Sequence, residues 1–138
     1  QTNGILLQAQ EKKYLPYLRH WYEKGMSTIA ISIVHYDYKK NKKVYTPLQE
    51  KYMDVPKLVK YLHRIGFSVR LACTLIRDHI DSEEELKKLI LFSKKNNVEQ
   101  LTVRPMNKPT QVSSSSVSKW CNENYIRKEQ KNKINRFL

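Results

Sequence analysis

The sequence is poor in residues that staple, break or span. Its two cysteines, Cys73 and Cys121, lie far apart in 138 residues. That disfavours a disulfide-framed secreted scaffold and points to a reducing, cytoplasmic setting. Three glycines and five prolines are too few for a collagenous or low-complexity chain. No apolar run approaches the ~20 residues of a transmembrane helix, and no signal-peptide pattern opens the chain. Acidic residues are scarce as well, 13 against 26 Lys and Arg, giving a formal net charge of +13. What remains is 40% hydrophobic, enough for the modest core of one domain or part of one. The chain opens at Gln1 without an initiator Met, and QTNGILL reads as the end of a strand. An N-terminal segment ahead of it is therefore expected.

The excess lysine has two readings. Lys39, Lys40, Lys42 and Lys43 cluster, as do the cations of residues 127–136, and a nucleic acid or other polyanion is a natural partner for them. Tyr36, Tyr38 and Tyr45 interleave with the first cluster as stacking groups. Alternatively, Lys, Asn, Ile and Tyr are abundant together, as A/T-rich codon usage would produce, and the lysines spread over several elements.

Hydrophobic patterning gives alternating strands and helices. A helix is expected over 8–24, distorted at Pro16. The apolar run 28–34 suits a strand buried on both faces, with Ser32 its one polar interior residue. A lysine-rich loop then reaches to about Met53. Asp54 followed by Pro56 starts a helix whose buried stripe is Leu58, Val59, Leu62 and Ile65, ending at Gly66. In the next strand Phe67, Val69, Leu71, Cys73 and Leu75 share an apolar face, with Ser68, Arg70, Ala72 and Thr74 opposite. Ser82 with Glu85 has capping-box spacing and opens a helix over 83–95, which Asn96 and Asn97 close. A last strand covers 101–106. Beyond Pro109 the character changes to a Ser-containing linker and a helical tail. The expected division is residues 1–109 as one strand–helix body and 110–138 as linker and tail.

Helix, strand, helix in series is the unit of a parallel sheet. Two strands sort their residues alike, one face apolar and the other carrying Arg70 and Thr74, or Thr102 and Arg104. The expected fold is α/β, a partial (β/α) barrel with helices on its outer face.

The series TNG, IAISIVHYD, GFSVRLACTLIRDHIDSEEEL and VEQLTVRPMNKP resembles the second half of a radical S-adenosylmethionine enzyme, over residues 1–109. The resemblance implies a partial barrel in which a [4Fe-4S] cluster cleaves S-adenosylmethionine reductively to start radical chemistry. It also implies a cluster held by a CxxxCxxC loop. That motif is not in this chain, so the cluster ligands are expected outside it. By the same resemblance, Asn3, Gly4, Ser32, Arg70, Thr74 and Leu75 line the cofactor. Ser32 would meet the ribose, and Leu75 would offer an apolar surface. Arg70 is buried by pattern and needs an anionic partner. That partner is the methionyl carboxylate, the substrate or a lumenal carboxylate from another strand, and the same alternatives apply to Arg104. His35 and Arg104 are candidates for contact with substrate. Ala72 stands where many relatives carry Asn. The rival expectation is a non-catalytic basic module binding RNA or another polyanion. His35, Asp37 and His79 all fall at strand exits, where a metal or proton-transfer site is a further reading without a spacing motif behind it. No membrane partner is expected.

Overall fold

A computed structural model describes residues 1–49, 51–107 and 115–137 of the chain. Three parallel strands form its sheet: β1 (Thr28–Ile33), β2 (Ser68–Leu75) and β3 (Gln100–Pro105), in the order β1-β2-β3. Ile31 pairs with Leu71, and Leu71 in turn with Leu101, so like faces line up across the sheet. Thr2 adds a parallel bridge to Ile31 beyond β1: its N–H donates to the Ala30 carbonyl at 2.9 Å, and its carbonyl accepts from Ser32 at 2.8 Å.

The pleat sorts the side chains. Ile29, Ile31, Ile33, Val69, Leu71, Cys73 and Leu75 are buried, while the intervening residues of β1 and β2 are half-exposed. The first strand is thus buried on alternate residues, where its continuous hydrophobicity suggested burial on both faces. Helices supply the other half of the core. Leu18 of α2 (Glu11–Glu23), Leu58 and Leu62 of α4 (Val55–Ile65), and Leu86 and Leu89 of α5 (Glu83–Lys95) join the strand residues in one apolar cluster. Fully burying each such side chain stabilises by about 1.5–3 kcal/mol before entropy is counted.

Local chemistry sets the helix ends. Asp54 caps α4, its Oδ1 accepting from the Lys57 N–H at 3.0 Å, and Gly66 closes it at φ 116°. Ser82 caps α5 through the Glu85 N–H at 3.3 Å, and Asn97 leaves the helix at φ 55°. The N-terminal helix is broken at Gln10 instead of Pro16, giving α1 (Ile5–Ala9) and α2. Gln8 explains the break. Its side chain accepts from the Asp54 N–H at 2.7 Å and donates to the Asp54 carbonyl at 3.0 Å, docking α1 on the start of α4.

The expected lysine-rich loop holds a helix, α3 (Tyr38–Tyr45). Asp37 caps it at the Lys40 N–H, and Asn41 anchors it from within. Asn41 is fully buried, its Oδ1 accepting from the Val34 and His35 N–H groups and its amide donating to the His35 and Asp37 carbonyls. Asn41 shares the inward side of α3 with Tyr45, which packs against the core and stacks on Tyr52.

In the tail, α6 (Ser115–Asn124) and α7 (Lys128–Phe137) follow. Ile126 and Ile134 are fully buried, and the Gln130 amide donates to Asp81 Oδ2 at 3.0 Å, so α7 packs on the strand–helix body beside α5. The division at 109/110 and the linker serines Ser113 and Ser114 lie outside the described residues.

Candidate functional site

Alternation leaves one sheet face polar and open. Ala30 and Ser32 from β1, Arg70, Ala72 and Thr74 from β2, and Thr102 and Arg104 from β3 stand on it side by side. A hollow of about 130 Å³ lies along this face, lined among others by Gln1, Arg70, Thr74, Thr102 and Arg104. That is below the roughly 300–1,000 Å³ of an enclosing ligand pocket. These residues offer one wall of a site.

The wall has the donors for an anionic, hydroxylated ligand. Ser32 Oγ accepts from the Gln1 amide at 2.7 Å and keeps its own proton to donate. Arg70 is half-buried, and its Nε donates to the neutral Gln100 Oε1 at 2.7 Å. Burial without charge compensation is costly, and the alternating pattern led us to expect an anion beside Arg70. Among the described residues, neither Arg70 nor Arg104 has an ion-pair partner. Two cations without carboxylates on one face leave it attractive to an anion.

The remaining expected contacts fall elsewhere. Leu75 is buried on the helix-packed face, opposite Thr74, because neighbours along a strand point to opposite sides. It presents no apolar surface to the open face. Asn3 spends its Oδ1 on the Ile5 N–H at 3.2 Å. Gly4 is buried at φ 73°, and a Cβ there would lie 2.5 Å from Leu58 Cδ2 and 2.6 Å from Met53 Sδ. Its left-handed backbone and the crowding by these side chains both favour glycine at that position.

His35 forms a second polar cluster with a different logic. It is 2% exposed, and its Nδ1 accepts from the Asp37 N–H at 2.9 Å. The proton of the neutral ring therefore sits on Nε2 and faces Glu85 Oε2 at 3.2 Å. Burial pushes the imidazole down to about 4, with Lys40 adding to the fall and Glu85 opposing it. Both nitrogens of His35, expected to contact substrate, are engaged within the chain: the ring holds Glu85 and the α3 turn. Glu85 also accepts from the Tyr36 hydroxyl at 2.9 Å and from Lys88 Nζ at 2.9 Å. The Lys88 hydrogen bond holds its carboxyl below the usual range, and the Tyr36 hydroxyl helps.

His79 lies 6.0 Å from His35, ring to ring, and its Nδ1–H donates to the Arg77 carbonyl at 3.0 Å. Asp37 is spent on the α3 cap. No group of three metal-ligating side chains occurs among the described residues. The hub role of Glu85 and the Arg70–Gln100 contact were missed in the sequence. Two of the Glu85 partners, Tyr36 and His35, lie 49 and 50 residues away, beyond any local pattern, and Gln100 becomes a partner only through strand register.

The chain's thiols do not fit an iron–sulfur cluster. Cys73 faces the core with its thiol pushed up to about 12 by burial, and Cys121 lies on α6. Two thiols are also one short of three ligands. No helix among the described residues is long and apolar enough to cross a membrane. No family model, curated protein or solved structure matches the chain.

Proposed function

We propose that the open sheet face is one wall of an S-adenosylmethionine site in a radical enzyme, its three strands forming part of a (β/α) barrel. The cluster that starts such chemistry would be held by residues outside this chain. The carrying observation is the sorted sheet: helices pack against one face, while Arg70, Arg104, Ser32 and Thr74 stand on the other, and among the described residues neither arginine has a carboxylate partner. Arg70 suits the methionyl carboxylate, because its terminal nitrogens remain free for a paired hydrogen bond while Nε is fixed by Gln100. Ser32 and Thr74 suit ribose hydroxyls, being short groups that both donate and accept.

Calorimetric titration with S-adenosylmethionine tests this reading. Replacing a charge-assisted contact costs about 1.5–3 kcal/mol, so Arg70→Gln is expected to weaken binding by about tenfold or more. Arg64→Gln, an exposed cation on α4, is expected to leave it unchanged. Absent binding, or equal affinities for the two variants, refutes the assignment.

A further inference from the structure

The structure modifies the reading of the basic segment. Tyr45 is withdrawn from the surface: it stacks on Tyr52 at 5.9 Å and 13°, and burial pushes its hydroxyl up to about 12. Tyr36 and Tyr38 instead line a hollow of about 270 Å³ between α3, the start of α4 and α5. Asn41, Met53, Asp54, Val55, Pro56 and Phe92 complete its wall. Tyr36 and Phe92 meet at 6.2 Å, and Tyr38 is 42% exposed. The volume lies just below that of pockets for whole cofactors and suits one flat ring system.

Charge decides which ring. Tyr38 opens a helix of eight residues that also carries Lys39, Lys40, Lys42 and Lys43. Lys40 donates to the Asp78 carbonyl at 3.1 Å, so it reaches toward the β2–α5 connection. Lys39 and Lys43, four residues apart, share an exposed side of the helix. The one carboxylate in the wall, Asp54, is spent on the α4 cap and on Lys57, so the lysines of α3 set the charge beside the hollow and favour a ring attached to a phosphate chain. The Tyr38 hydroxyl accepts from the Tyr52 N–H at 2.8 Å, which fixes its ring at the rim.

We infer that the hollow bounded by Tyr36, Tyr38 and Phe92 binds one base of single-stranded nucleic acid, with Lys39 and Lys43 on its flanking phosphates. A duplex keeps its bases stacked inside and cannot offer one to the hollow, so single strands are selected. This inference is independent of the proposed cofactor wall, which lies on the sheet.

Fluorescence anisotropy with a labelled eight-nucleotide single strand, and with an abasic strand of equal length, separates the two contributions. Stacking of one base is expected to make the base-bearing strand bind about tenfold more tightly than the abasic one. Tyr38→Leu keeps bulk at the rim and should erase that difference, whereas Tyr38→Phe should keep it. Lys39→Ser and Lys43→Ser should weaken both strands alike, each lowering the salt slope by about 0.7. Equal affinity for the two strands, equal affinity for a poly-glutamate peptide, or a base preference that survives Tyr38→Leu overturns the inference. Circular dichroism confirms that each variant is folded.

Discussion

Gly4 offers the sharpest test of how the N-terminal turn is packed. Gly4→Ala meets two separate penalties. At φ 73° an L-residue enters the left-handed region, which costs about 1–2 kcal/mol. The new methyl also collides with Leu58 Cδ2 and Met53 Sδ at 2.5 and 2.6 Å, both on buried side chains, and forcing extra volume into a packed core costs about 1–3 kcal/mol. The combined loss is roughly 2–5 kcal/mol, toward the lower half because the colliding atoms are side-chain tips. Gly25 is the internal control. It has φ 93° and nothing within 4 Å of a built Cβ, so Gly25→Ala carries the backbone penalty alone. Urea unfolding followed by circular dichroism should show Gly4→Ala destabilised by about 1–3 kcal/mol more than Gly25→Ala, with unchanged m-values. Equal losses would refute the packing argument and return Gly4 to the ligand contacts that the resemblance implies.

Three further outcomes follow from the same geometry. Burial pushes His35 down from its ordinary 6.5 to about 4 in the folded chain, so the unfolded chain takes up the proton first. Its contribution is full above pH 6.5 and is lost as pH falls toward 4, by about 2–3 kcal/mol; urea midpoints across that window should slope in the native protein and flatten in His35→Asn. Burial keeps the Cys73 thiol protonated, with its ordinary value pushed up to about 12. Ellman's reagent at pH 8 should therefore modify Cys121 in the native protein and reach Cys73 only with urea; rapid native modification of both contradicts the core placement. Asp37→Ala removes the cap of α3 and should cost about 1 kcal/mol in thermal unfolding, as Asp54→Ala should for α4.

Where the sequence carries a local device, the structure follows it closely. Asp54, Gly66, Ser82 and Asn97 mark the ends of α4 and α5 because capping depends on neighbours within four residues. Period-two alternation likewise sorted β2, residue by residue, onto its two faces. The misses share the opposite cause. The run of lysines hides α3, which is held by the buried Asn41 and by Tyr45 stacked on Tyr52, and the break at Gln10 depends on Gln8 reaching Asp54, 46 residues away. The open face was visible as a pattern, but not the neutral partner of Arg70. That partner is set by the register of β2 on β3, which no single strand encodes. The resemblance sets Leu75 against the ligand, whereas the alternation of β2 puts it with Cys73 in the core.

The claim that matters most is that the polar sheet face is a binding surface. A titration of the isotopically labelled chain with S-adenosylmethionine, followed by amide chemical shifts, reads it directly. The account predicts saturable shifts at Ala30, Ser32, Arg70, Ala72, Thr74 and Thr102, which share the open face. Shifts confined to Tyr36, Tyr38 and Phe92, or none on the sheet at saturating ligand, would contradict it.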